Sequence, residues 1–287
     1  MDALGLALLY GLNALQQGVL LFLVASGLSL ILGAMGVINL AHGALYMLGA
    51  YLGLGLVQST QNWAVSMLLL VAMGLLLGWA LERGLIRATV GGHPLRQVLL
   101  TLGLVLVAEE LRAVAWGNDV LTLSPPAWLS GGLPLGERLL LPLYEVAVLC
   151  LGLFTAIGLM LVLRYSDWGV QLRALSENPR LLSTLGVNPA RLTAGAFAVG
   201  TAMAMTAGLL AAPLTTLGPH MGGPVLIASL VVVILGGLGS IAGTFFAAML
   251  VGAAQTLGQV VAGDYAGLAV YIAMALVLAL RPAGLSR

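Results

Sequence analysis

The sequence predicts an all-α protein set in a membrane, a polytopic bundle of about 8–10 helices, some of them broken. Three observations predict it. From Ala3 to Leu81 there is no Asp, Glu, Lys or Arg, and a run of that length belongs in hydrocarbon, where each crossing takes about 20 apolar residues. The hydrophobic fraction is 61% and the charged fraction 7%, with a mean hydropathy of +1.09, whereas a soluble domain is about 25% charged. Glycines interrupt the apolar runs, as they do where irregular backbone lines a cavity in a transporter. The expected organisation is one transmembrane domain over residues 1–287, with no room for a sizeable soluble domain.

Nine apolar runs can be placed in order: Leu8–Gly33, Ala44–Val57, Trp63–Leu81, Val98–Trp116, Leu141–Leu163, Thr193–Ala212, Pro224–Leu238, Ala242–Ala262 and Gly267–Leu280. The second and seventh are short, which suits broken or half-spanning helices. Arginine placement orients them. If nine crossings alternate, Arg83, Arg87, Arg96, Arg164, Arg173, Arg180, Arg191, Arg281 and Arg287 fall on one side, the cytoplasm. Arg138 falls on the other, Arg112 sits near an outer helix end, and the N-terminus is outside. The segment at about 117–140 is then an external loop. Its Ser124-Pro125-Pro126 and Gly131-Gly132 favour turns, and Trp116 and Trp128 suit the interface.

Composition removes several function classes. All eleven basic residues are Arg, so there is no Walker A lysine and no Schiff-base lysine. Cys150 is the only cysteine, which leaves no intrachain disulfide and no cysteine-rich metal site. The N-terminus has no basic n-region and reads as a first membrane helix rather than a removable leader. A net charge of +1 gives no ground for nucleic-acid binding. His42, His93 and His220 fall in different segments, so no metal site is expected.

Polar interruptions are where function is expected. GVINLAHGALYMLGAY, Gly36 to Tyr51, lies inside the uncharged stretch. Asn39 and His42 are costly at membrane depth and mark a functional site or a structural need. They either border a substrate path, together with Gly43 and Tyr46, or satisfy backbone freed at a helix break. Gly36 permits the turn. Tyr165–Leu192 is the most polar stretch; Gln171–Ser176 and Pro179–Leu185 read as two short amphipathic helices with Asn178-Pro179 between them, Gly186 as a stop and Asn188-Pro189 after it. Leu172, Leu175, Leu181, Leu182 and Leu185 form an apolar face, suited to lipid or to a groove on a partner. LGGLGSIAGTF, Leu235 to Phe245, packs Gly236, Gly237, Gly239 and Gly243 between two apolar runs. Gly49/Gly53, Gly74/Gly78 and Gly239/Gly243 are small-xxx-small pairs that permit close helix packing. Glu109, Glu110 and Glu145 sit near helix ends, where an ion pair is expected before a proton relay.

At three places the chain resembles the permeases of branched-chain amino-acid ABC importers, whose relatives carry urea, amides and other small solutes. These are GLSLILGAMGVINLAHGALYMLGAY (Gly27–Tyr51), RALSENPRLLSTLGVNPARL (Arg173–Leu192) and VVVILGGLGSIAGTF (Val231–Phe245), in the family's order, with likeness over nearly the whole chain. It looks most like the smaller of the family's two sibling permeases. The resemblance implies a type II-like ABC importer permease with no catalytic residue and no cofactor of its own. ATP and Mg would be used by two cytoplasmic ATPases. The other partners would be a sibling permease forming a heterodimer, a periplasmic or lipid-anchored binding protein, and membrane lipid. The location would be a bacterial or archaeal cytoplasmic (inner) membrane, crossed many times, with the C-terminus inside. It further implies a coupling segment at about 165–192, with Arg173, Ala174, Glu177, Asn178, Leu181, Leu182 and Gly186 seated on an ATPase. Two departures are the Ala44 after His42-Gly43, where many relatives carry an acid, and the absence of Lys.

Two other classes compete. A stand-alone channel or secondary carrier fits the broken helices but gives the amphipathic segment no purpose. An intramembrane hydrolase using Ser240 and His42 would need a G-x-S-x-G elbow, which is absent.

Overall fold

The computed structural model describes residues 3–134, 140–263 and 266–281. Within them lie eleven α-helices and one pair of three-residue strands. The helices are α1 (Ala3–Met35), α2 (His42–Thr60), α3 (Trp63–Leu81), α4 (Pro94–Trp116), α5 (Leu143–Tyr165), α6 (Asp167–Glu177), α7 (Pro179–Thr184), α8 (Pro189–Ala211), α9 (Gly222–Gly236), α10 (Ile241–Ala262) and α11 (Ala266–Leu280). The chain is thus an all-α, multi-pass membrane protein. The nine apolar runs correspond one to one with α1–α5 and α8–α11. Strand β1 (Gly132–Pro134) pairs antiparallel with β2 (Leu140–Pro142) in the segment before α5. Arg138, Arg287 and the end of the chain beyond Arg281 lie outside the described residues.

Helix lengths are uneven. At 1.5 Å per residue the 33 residues of α1 reach about 50 Å, and the 15 of α9 only about 22 Å. A hydrocarbon core is about 30 Å thick, so α9 does not span it alone. The helix ends sort as alternating crossings require. Met35, Arg87, Arg164, Arg173, Pro189 and Gly239 line one cleft, which brings together the ends of α1, α3 and α5, the start of α8 and the α9–α10 turn. Away from that cleft, Leu121 bridges Leu217, and Trp63 packs on Tyr144.

The helices form two interlocked units of opposite direction. Each unit is a helix, a non-helical return, a second helix and a third: α1, residues 36–41, α2 and α3 in one, and α8, residues 212–221, α9 and α10 in the other. The first helices cross where a Cβ on Gly27 would lie 2.6 Å from the Gly200 carbonyl oxygen, and one on Gly200 2.7 Å from that of Gly27. The second helices meet at their N-termini: a Cβ on Gly43 would lie 2.3 Å from the Gly222 oxygen. Each third helix runs along the other unit's first, α3 on α8 through Gly74 and Gly78, and α10 on α1 through Gly252 and Gly18. Without a hydrophobic drive between helices in lipid, this backbone-to-backbone approach holds the bundle. Apolar side chains fill what remains, notably Phe22, Leu28, Val232, Leu235 and Val251 on one flank and Met47, Tyr51, Met205 and Leu209 on the other.

Gly49 and Gly53 both face α8, as do Gly74 and Gly78, which is the pairing the sequence predicts. Gly239 and Gly243 are different. Gly239 sits in the α9–α10 turn at φ +78°, and the Gly243 N–H is taken by Ser240 Oγ at 3.1 Å. A Cβ on Gly236 would meet the Gly243 backbone at 2.6 Å. These glycines close a tight corner, and Gly239 sets that corner against α1, where a Cβ on it would lie 3.2 Å from the Gly33 Cα.

Candidate functional site

The break after α1 is built by its own polar groups. Gly36 takes φ +64°, and its N–H donates to Leu32 O at 2.8 Å, which ends α1. The Asn39 side-chain oxygen accepts from the Ala41 N–H at 3.1 Å, and the His42 N–H donates to Asn39 O at 3.2 Å, so one residue turns the chain into α2. His42 Nε2 lies 2.9 Å from Val24 O, in the middle of α1. Val24 precedes the end of α1 by three turns, about 16 Å along the axis. The chain therefore climbs back along α1 before α2 starts, and the start of α2 lies inside the bundle.

Asn39 and His42 are fully buried, with Gly36 and Ile38 exposed beside them. Both keep an orphan: Asn39 Nδ2 and His42 Nδ1 have no partner among the described residues. Neither α2 nor α9 has a side-chain N-cap or an acid in its first turn. Two bare positive helix ends thus face each other at Gly43 and Gly222, next to unpaired polar nitrogens. Tyr46 is buried one turn further along α2, among Leu23, Val24, Tyr144 and Leu210. These four residues, Asn39, His42, Gly43 and Tyr46, form one contiguous group. The matching return at 212–221 carries no buried polar group comparable to Asn39, so the sequence marks it only through the shortness of the seventh apolar run that follows.

The amphipathic segment forms as two helices, with α6 starting four residues earlier than the leucine pattern indicated. Ser166 Oγ caps it by accepting from the Gly169 N–H at 3.1 Å. A Ser followed by Asp167 is the signal that could have found this start. Asn178 Oδ1 caps α7 through the Leu181 N–H at 3.0 Å, Gly186 stops it at φ +81°, and Asn188 caps α8. The apolar face divides. Leu172, Leu175 and Leu182 pack inward with Leu30, Leu192 and Ala196. Leu182 is 5% exposed, while Leu181 and Leu185 are 59% and 73% exposed. Leu182 is therefore corrected from an outward-facing contact to an anchor. It projects away from Leu181 because neighbours on a helix are about 100° apart. Ala174 is half-buried beside it, and Arg173, Glu177, Asn178 and Gly186 are exposed. Arg173 also donates to Leu163 O at the end of α5.

One cluster carried no signal in the sequence. Glu82 is fully buried at the end of α3, where residues Glu82–Ile86 form a π-turn. Arg87 grips it with two bonds, Nη2 to Oε2 at 2.6 Å and Nε to Oε1 at 3.1 Å. Thr193 Oγ1 lies 3.0 Å from Glu82 Oε1, and Arg87 Nη2 lies 2.9 Å from Ala190 O, both on the first turn of α8. The cluster borders the cleft at the Arg-rich end, about 1120 Å3 in volume.

The remaining candidates separate. Glu109 Oε1 is 3.9 Å from His220 Nδ1, rather than paired with Arg112. Arg112 instead donates to Gly117 O and Asn118 Oδ1 and lies over the Tyr51 ring. His93 caps α4. Ser240 is spent on its cap, and no hydrogen bond joins it to His42.

Residues 10–280 match the family model described as "Branched-chain amino acid transport system / permease component". The chain is 28% identical to the high-affinity branched-chain amino acid transport system permease protein BraD of Pseudomonas aeruginosa, over 95% of this chain and 93% of that protein. It is 26% identical to the corresponding LivH proteins of Escherichia coli K12 and Salmonella typhimurium, over 96% of each chain. A chain of the solved structure "PsaBC from Streptococcus pneumoniae in complex with Fab" aligns over 93% of this chain and 89% of its own, at 15% identity and a TM-score of 0.47.

Proposed function

The chain belongs to the branched-chain amino acid transport system permease family, and on that premise we propose that it is the membrane-spanning permease subunit of an ATP-driven importer of branched-chain or other small neutral amino acids. The observation that carries this is the full-length family match over residues 10–280, together with a bundle broken where a path would need polar lining. The chain is a transport subunit, so ATP and Mg are consumed by partners. Those partners are two ATPases at the Arg-rich end, a sibling permease alongside, and a periplasmic or lipid-anchored binding protein at the other end. The Arg-rich end and the C-terminus face the cytoplasm across the inner membrane, as the positive-inside rule requires. The whole of 1–287 acts as one permease domain, with the external loop at about 117–140 available to the binding protein.

Asn39, His42, Gly43 and Tyr46 border the translocation path. Support comes from the unpaired Asn39 Nδ2 donor and from the two bare helix ends beside it, a setting that favours a substrate carboxylate, while His42 Nε2 donates to Val24 O and leaves Nδ1 an acceptor suited to a substrate ammonium. In the conformation described they are sealed, so the path opens when α2 and α9 part at Gly43 and Gly222. Coupling runs through α6 and α7. Arg173, Glu177, Asn178, Leu181 and Gly186 meet the ATPase, while Ala174 and Leu182 hold the segment to the membrane core.

The test is reconstitution. Co-expressed with its sibling and ATPases, the chain should co-purify with both and import labelled leucine only when ATP is hydrolysed and the binding protein is loaded. Import by the chain alone, without ATP, would instead make it a stand-alone carrier.

A further inference from the structure

We propose that the cluster formed by the buried Glu82 with the half-exposed Arg87 and Thr193 is the tie that passes movement of α6 and α7 to the break at Asn39–Gly43, so that these three residues position the coupling path without touching substrate. The inference rests on the importer reading above.

The π-turn makes the tie possible. In an α-helix, residues five apart lie about 140° away from each other around the axis. The turn at 82–86 adds a residue, and the Arg87 N–H reaches the Glu82 carbonyl, which sets Arg87 over the Glu82 carboxylate. Such π-turns cluster at functional positions. A fully buried carboxylate inside an apolar span is costly unless paired and fully hydrogen-bonded, and Glu82 has three donors: two from Arg87 and the Thr193 hydroxyl. A helix end needing only a stop would take no buried acid.

The connections then run in both directions. Toward the ATPase side, Thr193 and Ala190 lie on the first turn of α8, five residues beyond α7, and Leu192 on the same turn packs with Leu182, Leu175 and Leu172. Toward the core, α3 and α8 are in backbone contact at Gly74/Ala202 and Gly78/Ala198. The helix α8 touches α2 at Met205/Gly49 and Gly208/Tyr46, one to two turns from His42. Contacts this close transmit displacement rather than absorb it. The ion pair fixes the α7–α8 corner to the end of α3, ahead of the backbone contacts at Gly78 and Gly74. Without it, that corner shifts with the ATPase against the end of α3, and less of the movement passes along α8 to α2.

The experiment measures solute imported per ATP hydrolysed by the complete reconstituted complex. Thr193→Val removes the cross-helix bond and leaves the ion pair, and should lower that ratio about threefold to fivefold, the size of one ordinary net hydrogen bond. Thr193→Ser keeps the hydroxyl and should restore it. Glu82→Gln with Arg87→Gln neutralises both partners together and should lower the ratio on the order of tenfold, with ATP hydrolysis continuing. If Thr193→Val, assembled with full ATPase stoichiometry, imports at the wild-type ratio, the tie is not a coupling element. The Thr193 pair decides the matter even if the double variant fails to assemble. A wild-type complex without ATP-dependent import would overturn the importer reading instead, and is distinguishable because it shows before any variant is made.

Discussion

Two of the polar interruptions between apolar helices, residues 36–43 and residues 166–188, solve the same problem in opposite ways. In the first, polar side chains turn inward and serve the backbone: Asn39 caps a turn and His42 bonds to Val24 O, and both are buried. In the second, Ser166, Asn178 and Asn188 cap short helices at the surface, and leucines provide the grip. Burial makes the first segment sensitive to volume and to lost polar contacts. Exposure lets the second be divided into a side that holds and a side that is offered to a partner. A substitution should therefore disrupt transport itself in the first region and attachment in the second.

The sharpest way to break this contrast is to add volume at the buried crossing. Gly43→Leu has no room, since its Cβ would lie 2.3 Å from the Gly222 oxygen. It should cost about 3 kcal/mol or more and leave little folded permease in the membrane, read as detergent-extracted monodisperse protein. Wild-type yield would mean that the two helix ends do not meet. Next comes the pair Leu182→Asp and Leu181→Asp, neighbours with opposite fates. At Leu182 an unpaired charge would be buried inside the chain at a cost of several kcal/mol, so proteolytic sensitivity of residues 166–188 should rise. At Leu181 the permease should stay intact while ATPase stoichiometry falls. Identical behaviour of the two would erase the division of the leucine face.

Smaller effects sharpen the picture. Asn39→Leu and His42→Leu each remove about 1 kcal/mol of hydrogen bonding, too little to unfold the bundle, and uptake should drop while assembly persists. Normal uptake in both would leave these residues a purely structural role at the break. Smallest in energy is sidedness. Single cysteines replacing the exposed Glu177 and Trp128, with Cys150 replaced by Ser, should react with an impermeant thiol reagent from opposite faces of the membrane, and reaction from one face would refute the alternating topology.

Much of this was legible in the sequence because membrane helices declare themselves by length and apolarity. Trp63–Leu81 was read to the residue, and α4 and α8 began four residues before their apolar runs because polar first turns carry no hydropathy signal. The break at Asn39 stood out as polarity in an uncharged stretch. What could not be read was direction in space. Leu181 and Leu182 are alike in sequence and opposite in the fold. Arg87 reads in sequence as one more positive-inside arginine and Glu82 draws no reading at all, since a π-turn has no compositional signature. Gly27 and Gly200 are unremarkable until two helices distant in sequence cross there.

That crossing has a consequence for how the chain is made. The surfaces of α1 at Gly18 and Gly27, and of α2 at Gly43, are completed only by α8, α9 and α10, roughly 200 residues later. At the usual synthesis rate of about 5–20 residues per second, the first unit waits about 10–40 s in the bilayer with His42 and Asn39 bonded only within their own helical hairpin. The nascent protein is thus a half-built lock, and the insertion machinery that shelters it has to hold α1 and α2 until their counterparts arrive.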